Sequence, residues 1–222
     1  MATVAPGLRP VRSYVRRSGR MTEGQRRALT DLWVRYGVDR VPADPQTLFD
    51  CPRPCVLEIG FGNGEALVER ARQDVARNYL GLEVHEAGVG HALLEIARRE
   101  LSQVRLSRAD ASEALMVFDG ACFSEICVWF PDPWPKKRHH KRRLIQATVV
   151  GELARVLIPG GVLHYATDDA DYAAQMQALT ISHSSFGWLA DDRAGRPVTR
   201  FERRAQALGH AVWDLRFVRQ ET

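Results

Sequence analysis

Five consecutive apolar residues, Ile126-Cys127-Val128-Trp129-Phe130, constrain the fold of this chain more than any other feature. A sheet with one wet face alternates apolar and polar residues, so an unbroken apolar run suits a strand covered on both faces. Such strands belong to parallel sheets, whose strands are joined by crossovers long enough to hold a helix. The flanking sequence supplies those crossovers. Residues 56–59 read as a first strand, 79–84 as a second, 104–106 as a third, the apolar run as a fourth and 162–166 as a fifth. Helical spacing predicts helices over 65–77, 85–101 and 142–157, the last ended by Pro159-Gly160-Gly161. The tail adds a helix near 172–179 and a last strand near 212–218. This order predicts an α/β fold, a mostly parallel sheet with helices on both faces that holds its ligand beyond the carboxyl ends of the strands.

Ahead of the sheet, residues 1–20 read as a basic, poorly ordered arm dominated by Pro, Gly, Ser and Arg. A helix follows from Thr22, with Gln25 three residues on as in a capping box and Leu29, Leu32, Trp33 and Tyr36 at helical spacing before Gly37. Residues 38–54, with four prolines, read as a linker or surface loop. The chain has 222 residues, 45% of them hydrophobic and 26% charged, which excludes disordered, collagenous and membrane classes. One domain over 21–222 is the expectation at this size. Four scattered cysteines (51, 55, 122, 127), no secretory leader pattern and no apolar run of about 18 residues predict a cytoplasmic protein without a disulfide scaffold. No second cysteine pair follows Cys51 and Cys55 at zinc spacing, so no metal is expected.

Net charge is a modest +4, but its distribution is uneven. Residues 9–27 hold seven arginines and one acid, and residues 136–143 hold six Lys or Arg, two His and no acid. One such run is most simply a solvated face; two runs suggest a polyanionic partner such as nucleic acid.

The first strand runs into Gly60-Phe61-Gly62-Asn63-Gly64. Glycines there let the backbone turn tightly and approach a ligand with no Cβ in the way. A dinucleotide fingerprint wants a third glycine three residues after the second, and that position holds Glu65, an acid where pyrophosphate would arrive. An acid before the turn, Glu58, and no phosphate-friendly helix start favour a ligand with an amino group and no phosphates, as in S-adenosylmethionine. Glu83 ends the second strand 25 residues after Glu58, where a carboxylate can take both hydroxyls of a ribose, and Asp110 after the third strand is placed to border an adenine. Each acid alone is as readily a solvated loop residue; three at successive strand ends make chance a much poorer explanation.

The fourth strand leads into Pro131-Asp132-Pro133-Trp134-Pro135 and then the basic run Lys136-Lys137-Arg138-His139-His140-Lys141-Arg142-Arg143. Prolines on both sides restrict the backbone that carries Asp132. Trp134 suits either stacking on a base or packing in the core, and the basic run suits phosphates. The adjacent histidines, with no partner acids, suit solvent or RNA better than a metal.

On these segments the chain resembles the bacterial tRNA (guanine-N7-)-methyltransferase family. The resemblance extends over most of the sequence and includes residues 16–25, 57–64, 81–85, 130–143, 166–168, 199–202, 208–210 and 213–215. It implies a Rossmann-like class I methyltransferase fold with a seven-stranded sheet. It also implies that Glu58, Gly60, Gly62, Gly64, Glu83, Asp110 and Asp132 surround S-adenosylmethionine, with Asp132 the catalytic residue. Lys136, Asp168, Thr199, Arg200, Phe201 and Glu202 match positions that meet the target nucleotide, and Arg138, His139, His140, Lys141, Arg142 and Arg143 match the stretch that meets RNA. The implied reaction methylates N7 of a guanine in the tRNA variable loop, position 46, with no metal, no membrane and no obligate protein partner. Two departures, Pro135 in place of a polar residue and Ala205 in place of a glycine, alter loop shape without removing a functional group.

Other readings compete on the residues alone. A dinucleotide dehydrogenase is disfavoured by Glu65; an RNA-binding protein without catalysis would have no use for the three strand-end acids. A methyltransferase for another base or for protein is a third reading; the aromatic and basic segment after Asp132 favours nucleic acid over protein but does not by itself pick the base.

Overall fold

The computed structural model describes residues 20–221. Eight strands form one sheet: β1 (Gly37–Val38), β2 (Cys55–Ile59), β3 (Asn78–Leu82), β4 (Val104–Ser107), β5 (Phe123–Trp129), β6 (Leu157–Thr167), β7 (Phe186–Ala190) and β8 (Trp213–Arg219). Their spatial order is β1-β4-β3-β2-β5-β6-β8-β7. The first six in this order run parallel, β8 lies antiparallel to β6, and β7 antiparallel to β8. The chain leaves β2 toward β3 on one side and reaches β5 on the other, so the strand order reverses at β2 and opens a crevice beyond its carboxyl end.

Side chains alternate across the central strands, as strand geometry requires. Leu57, Ile59, Leu80, Leu82, Ile126 and Val128 pack on one face with Leu115, Val150, Leu153, Tyr172 and Met176. These last come from helices α5 (Ala111–Val117), α6 (Ala147–Val156) and α7 (Ala170–Ile181). On the other face Val56, Tyr79, Cys127 and Trp129 meet Ala28, Leu67, Val68, Val89, Leu93 and Ile96. Those belong to α1 (Glu23–Asp31), α3 (Glu65–Gln73) and α4 (Glu86–Arg98). The central strands are therefore covered twice, which is why they read as near-continuous apolar runs.

Several boundaries differ from expectation. The sheet has eight strands rather than seven; β1 is a two-residue edge strand on β4 drawn from the start of the stretch expected to be loop. The capping box at Thr22 and Gln25 is present, but the helix expected to run to Tyr36 breaks at Leu32 and resumes as a single turn, α2 (Trp33–Tyr36). The helix expected from residue 142 begins at Ala147, because Lys137–Arg142 form a 3₁₀ turn and Arg143 is extended. Helices α5 and α8 (Arg200–Ala207) and strand β7 carry no sequence expectation of their own. Apart from Arg20, the arm expected over residues 1–20 lies outside the described residues. Among the described residues no helix is long and apolar enough to cross a membrane.

Candidate active site

A cavity of about 610 Å³ opens beyond the carboxyl ends of β2, β3, β4 and β5. Its walls include Glu58, Glu83, Asp110 and Asp132, the turn at residues 60–63, Trp129 and Phe130, and Thr199, Arg200 and Phe201 from the start of α8. The topology thus gathers residues that lie far apart in sequence.

The glycine turn is held from below and behind. Gly60, Gly62 and Gly64 all have positive φ, conformations that side chains resist. The Gly62 N–H donates to Glu83 Oε2 at 2.9 Å, and the His85 N–H donates to Glu83 Oε1 at 2.9 Å, so one carboxylate ties the turn to the start of α4. Helix α4 approaches so closely that a Cβ on Gly88 would lie 2.1 Å from the Gly62 carbonyl oxygen. One turn further along the same helix, the His91 ring nitrogen Nδ1 meets the Asn63 carbonyl at 2.9 Å. Burial pushes the Glu83 carboxyl upward, and the backbone N–H donors of His85 and Gly62 pull it back only in part.

Glu58 is buried, and its Oε2 has no hydrogen-bond partner. Burial pushes its carboxyl up to about 8; nearby Arg70 draws it down and Glu125 adds to the rise. Arg70 is engaged elsewhere, at 2.7 Å from Glu125. An unpartnered carboxyl on a cavity wall is a seat for a donor that the cavity's ligand would bring, and an ammonium group fits it. The open space at Gly60, where a Cβ would touch nothing within 4 Å, leaves backbone accessible beside it. Asp110 caps α5 through Oδ1, accepting from the N–H of Ser112 at 2.8 Å. Among the described residues no group of three or more His, Cys, Asp or Glu is placed to hold a metal ion.

Asp132 is exposed at the end of β5, on a strained backbone. Phe130 and Trp134, on either side of the Pro-Asp-Pro unit, adopt φ of 52° and 45°. Each costs about 1 kcal/mol for a residue with a side chain. Two bonds hold them. The Phe130 N–H donates to Ala166 at 2.7 Å, and Arg143 Nε donates to the Pro133 carbonyl at 2.8 Å. Trp134 is half-buried, with the Arg142 guanidinium 4.3 Å from its ring centroid and His139 edge-on at 5.9 Å, an arrangement that belongs to neither a core residue nor a bare platform.

The basic stretch divides. Lys136, Lys137, Arg138 and Lys141 are exposed, and His139 and Arg142 partly so. Partial burial and the surrounding cations push the His139 imidazole below its usual value. Arg143, grouped with them in the sequence, is 2% exposed. Its guanidinium bonds Gln175 at 2.6 Å and Asp171 at 2.7 Å and lies over Tyr172, so it braces the Asp132 loop from inside. Asp168 follows β6, with His210 Nδ1 3.7 Å away. Thr199 caps α8, accepting from the Glu202 N–H at 3.1 Å, while Glu202 itself is fully buried. Glu65, the acid at the head of α3, accepts from the Arg200 N–H at 3.1 Å and from Arg203 at 3.0 Å, and so ties α8 across the mouth of the cavity.

A family model described as "Putative methyltransferase" matches residues 52–215. A tRNA (guanine-N(7)-)-methyltransferase of Alkalilimnicola ehrlichii is 47% identical over 99% of this chain and 97% of its own length. One from Halorhodospira halophila is 48% identical over 93% of this chain and 94% of its own. Among solved structures, a 16S rRNA methyltransferase, KamB, superposes with a TM-score of 0.58 at 16% identity, covering 93% of this chain and 97% of that one. A [4+2]-cyclase, SpnF, superposes at 0.54 with 15% identity, covering 89% of this chain and 82% of that one. Two different chemistries on one fold mean that the structural likeness speaks for architecture alone.

Proposed function

The chain belongs to the tRNA (guanine-N(7)-)-methyltransferase family, and on that premise we propose that it transfers a methyl group to N7 of a guanine in tRNA, with S-adenosylmethionine in the cavity beyond β2–β5. The observation that carries the reading is the convergence of Glu58, Glu83, Asp110 and Asp132, from four different strand ends, on one cavity. In this reading Glu58 receives the amino group, Glu83 the ribose hydroxyls, and Asp110 borders the adenine, with Gly60, Gly62 and Gly64 giving backbone access. Lys136, Asp168 and residues 199–202 serve the target nucleotide, at position 46 of the variable loop. The exposed cations of residues 136–142 serve the RNA backbone. Residues 21–222 act as one unit in the cytoplasm.

When bound, S-adenosylmethionine supplies a methyl group on a positively charged sulfur. Guanine N7 is an unprotonated acceptor with an available lone pair, so the chain needs no general base. Its task is alignment and charge. Holding the two reactants in attack geometry is worth on the order of 7 kcal/mol or more. The purine becomes cationic as the bond forms, and a fixed carboxylate at Asp132 stabilises that charge. Its strained and braced backbone suits this, because a preorganised carboxylate need not reorient during the reaction.

The test is methyl transfer from labelled S-adenosylmethionine to unmodified tRNA, mapped by chemical cleavage at 7-methylguanosine. One variable-loop guanine should be labelled. Asp132→Ala should keep its melting temperature and lose about 100-fold or more in rate, the usual cost of removing a preorganised charge-stabilising group. Label at another base, or an unchanged rate in the variant, would overturn the substrate or the residue respectively.

A further inference from the structure

Arg196 is 2% exposed, and no sequence motif singled it out. It closes a tight turn: its N–H donates to the Arg193 carbonyl at 2.8 Å, and the two central residues, Ala194 and Gly195, both have positive φ. Positive φ at both positions is the mirror-image turn that glycine favours. The turn folds its last side chain inward.

Once inside, the guanidinium reaches three elements. Its Nε and Nη2 fork onto Asp214 of β8 at 2.6 and 2.8 Å. Its Nη1 donates to Glu202 Oε2 of α8 at 2.7 Å. Its Cζ lies 5.4 Å from the Phe130 ring centroid and 5.8 Å from that of Trp129, at the end of β5 where the chain turns toward Asp132. Asp214 is fixed in turn by His164 Nε2 of β6 at 2.9 Å. Burial raises the Asp214 carboxyl, but the bonds to Arg196 and His164 outweigh it and hold the group well below the usual carboxylate range. The other Glu202 oxygen is met by Arg193 and by Gln206. Glu202 therefore has both oxygens engaged inside the protein.

We infer that Arg196 is the positioning residue that sets residues 199–202 against the Asp132 loop, with Glu202 as its anchor rather than a nucleotide ligand. The inference rests on the reading above, in which residues 199–202 serve the target nucleotide, and narrows it: Thr199, Arg200 and Phe201 face the cavity, while the buried Glu202 serves by holding the segment in place. A planar fork that bonds two carboxylates on different elements, with two aromatic rings within cation–π reach, fixes how those elements sit relative to one another. Lysine keeps the charge but has neither the fork nor the plane, which makes Arg196→Lys the informative change.

The experiment compares wild type with Arg196→Lys, Glu202→Gln and the double variant. The readouts are the methyl-transfer rate constant at saturating tRNA, the KM for S-adenosylmethionine, and hydrogen exchange at residues 200–207. Arg196→Lys should slow transfer more than tenfold, leave the cofactor KM within threefold, and speed exchange in α8 while β2 and β3 stay protected. Glu202→Gln, close in size and shape, should give the same pattern. The double variant should fall no more than threefold below Arg196→Lys, because the two residues act as one unit. Transfer by Arg196→Lys within threefold of wild type would overturn the inference. So would a double-variant loss equal to the product of the single losses, which would give Glu202 a separate contact with the nucleotide. Failure of the wild-type protein to methylate tRNA would instead overturn the substrate assignment, and the exchange result would then decide the role of Arg196 by itself: altered exchange in α8 supports it, unaltered exchange refutes it.

Discussion

A carboxyl that is buried without a partner leaves a signature in pH. Glu58, raised to about 8 from an ordinary 4.5, is protonated in the folded chain and ionised in the unfolded chain between those values. The folded state then holds more protons, so this group lowers stability as pH rises across that window. Wild type without cofactor should lose melting temperature relative to Glu58→Gln between pH 5 and 8.5, and a parallel pH dependence of the two would show that Glu58 ionises freely. Binding an ammonium group at Glu58 should expel a proton near pH 7, which calorimetry in buffers of different ionisation enthalpy would read. Glu58, Glu83, Asp110 and Asp132 were legible in the sequence because each sits at a strand end, and parallel-sheet topology sends such ends to one edge. Arg143 and Arg196 were not. A buried arginine differs from a solvated one only in its partners, and Asp214 and Gln175, 18 and 32 residues away, reach them only through tertiary structure.

At the scale of elements, the glycine turn is only as rigid as what presses on it. Helix α4 carries Gly88 against the Gly62 carbonyl, and any side chain there must push helix and turn apart. Gly88→Ala should weaken cofactor binding more than tenfold by calorimetry and lower the melting temperature. Gly24→Ala, in α1 where a Cβ would make only an ordinary contact with Thr22 Oγ1 at 3.9 Å, should instead stabilise by up to about 1 kcal/mol, the helix preference for alanine. The two changes are identical on paper and opposite in sign, because only one glycine is pressed against a neighbour. Helix α8 is pinned differently. Its exposed tie to Glu65 is the kind of ion pair worth up to about 1 kcal/mol. Glu65→Gln should raise the cofactor dissociation constant about two- to fivefold at low salt and less at high salt, and an equal effect at both would mean that the backbone bond to Arg200 carries the tie. In the sequence Glu65 reads only as an obstacle to phosphate; its partners in α8, 135 residues on, could not be read there. Strands β1 and β7 and helix α5 were missed because they are short and rest on neighbours more than on their own periodicity.

Across the whole molecule, charge is sorted by depth. Lys137, Arg138 and Lys141 stand in solvent, so each phosphate they hold should release counterions. Replacing all three with glutamine should lower the slope of log affinity for tRNA against log salt by about one for each phosphate that is no longer held. Arg143→Gln, from the same run, should leave that slope unchanged and lower the melting temperature and the transfer rate, because its partners are internal. An equal drop in slope for both would mean that Arg143 leaves its pocket to meet RNA. The architecture also orders events in time. Strands β2 to β5, with the acids that line the cavity at their ends, precede β8, which slots between β6 and β7 and carries the aspartate that Arg196 grips. A nascent chain therefore makes the wall of its cavity before the brace on α8, and until β8 docks the long strand β6 stands as a bare, sticky edge. The interval between the exposure of β6 and the docking of β8 is when this chain most needs shelter from its neighbours.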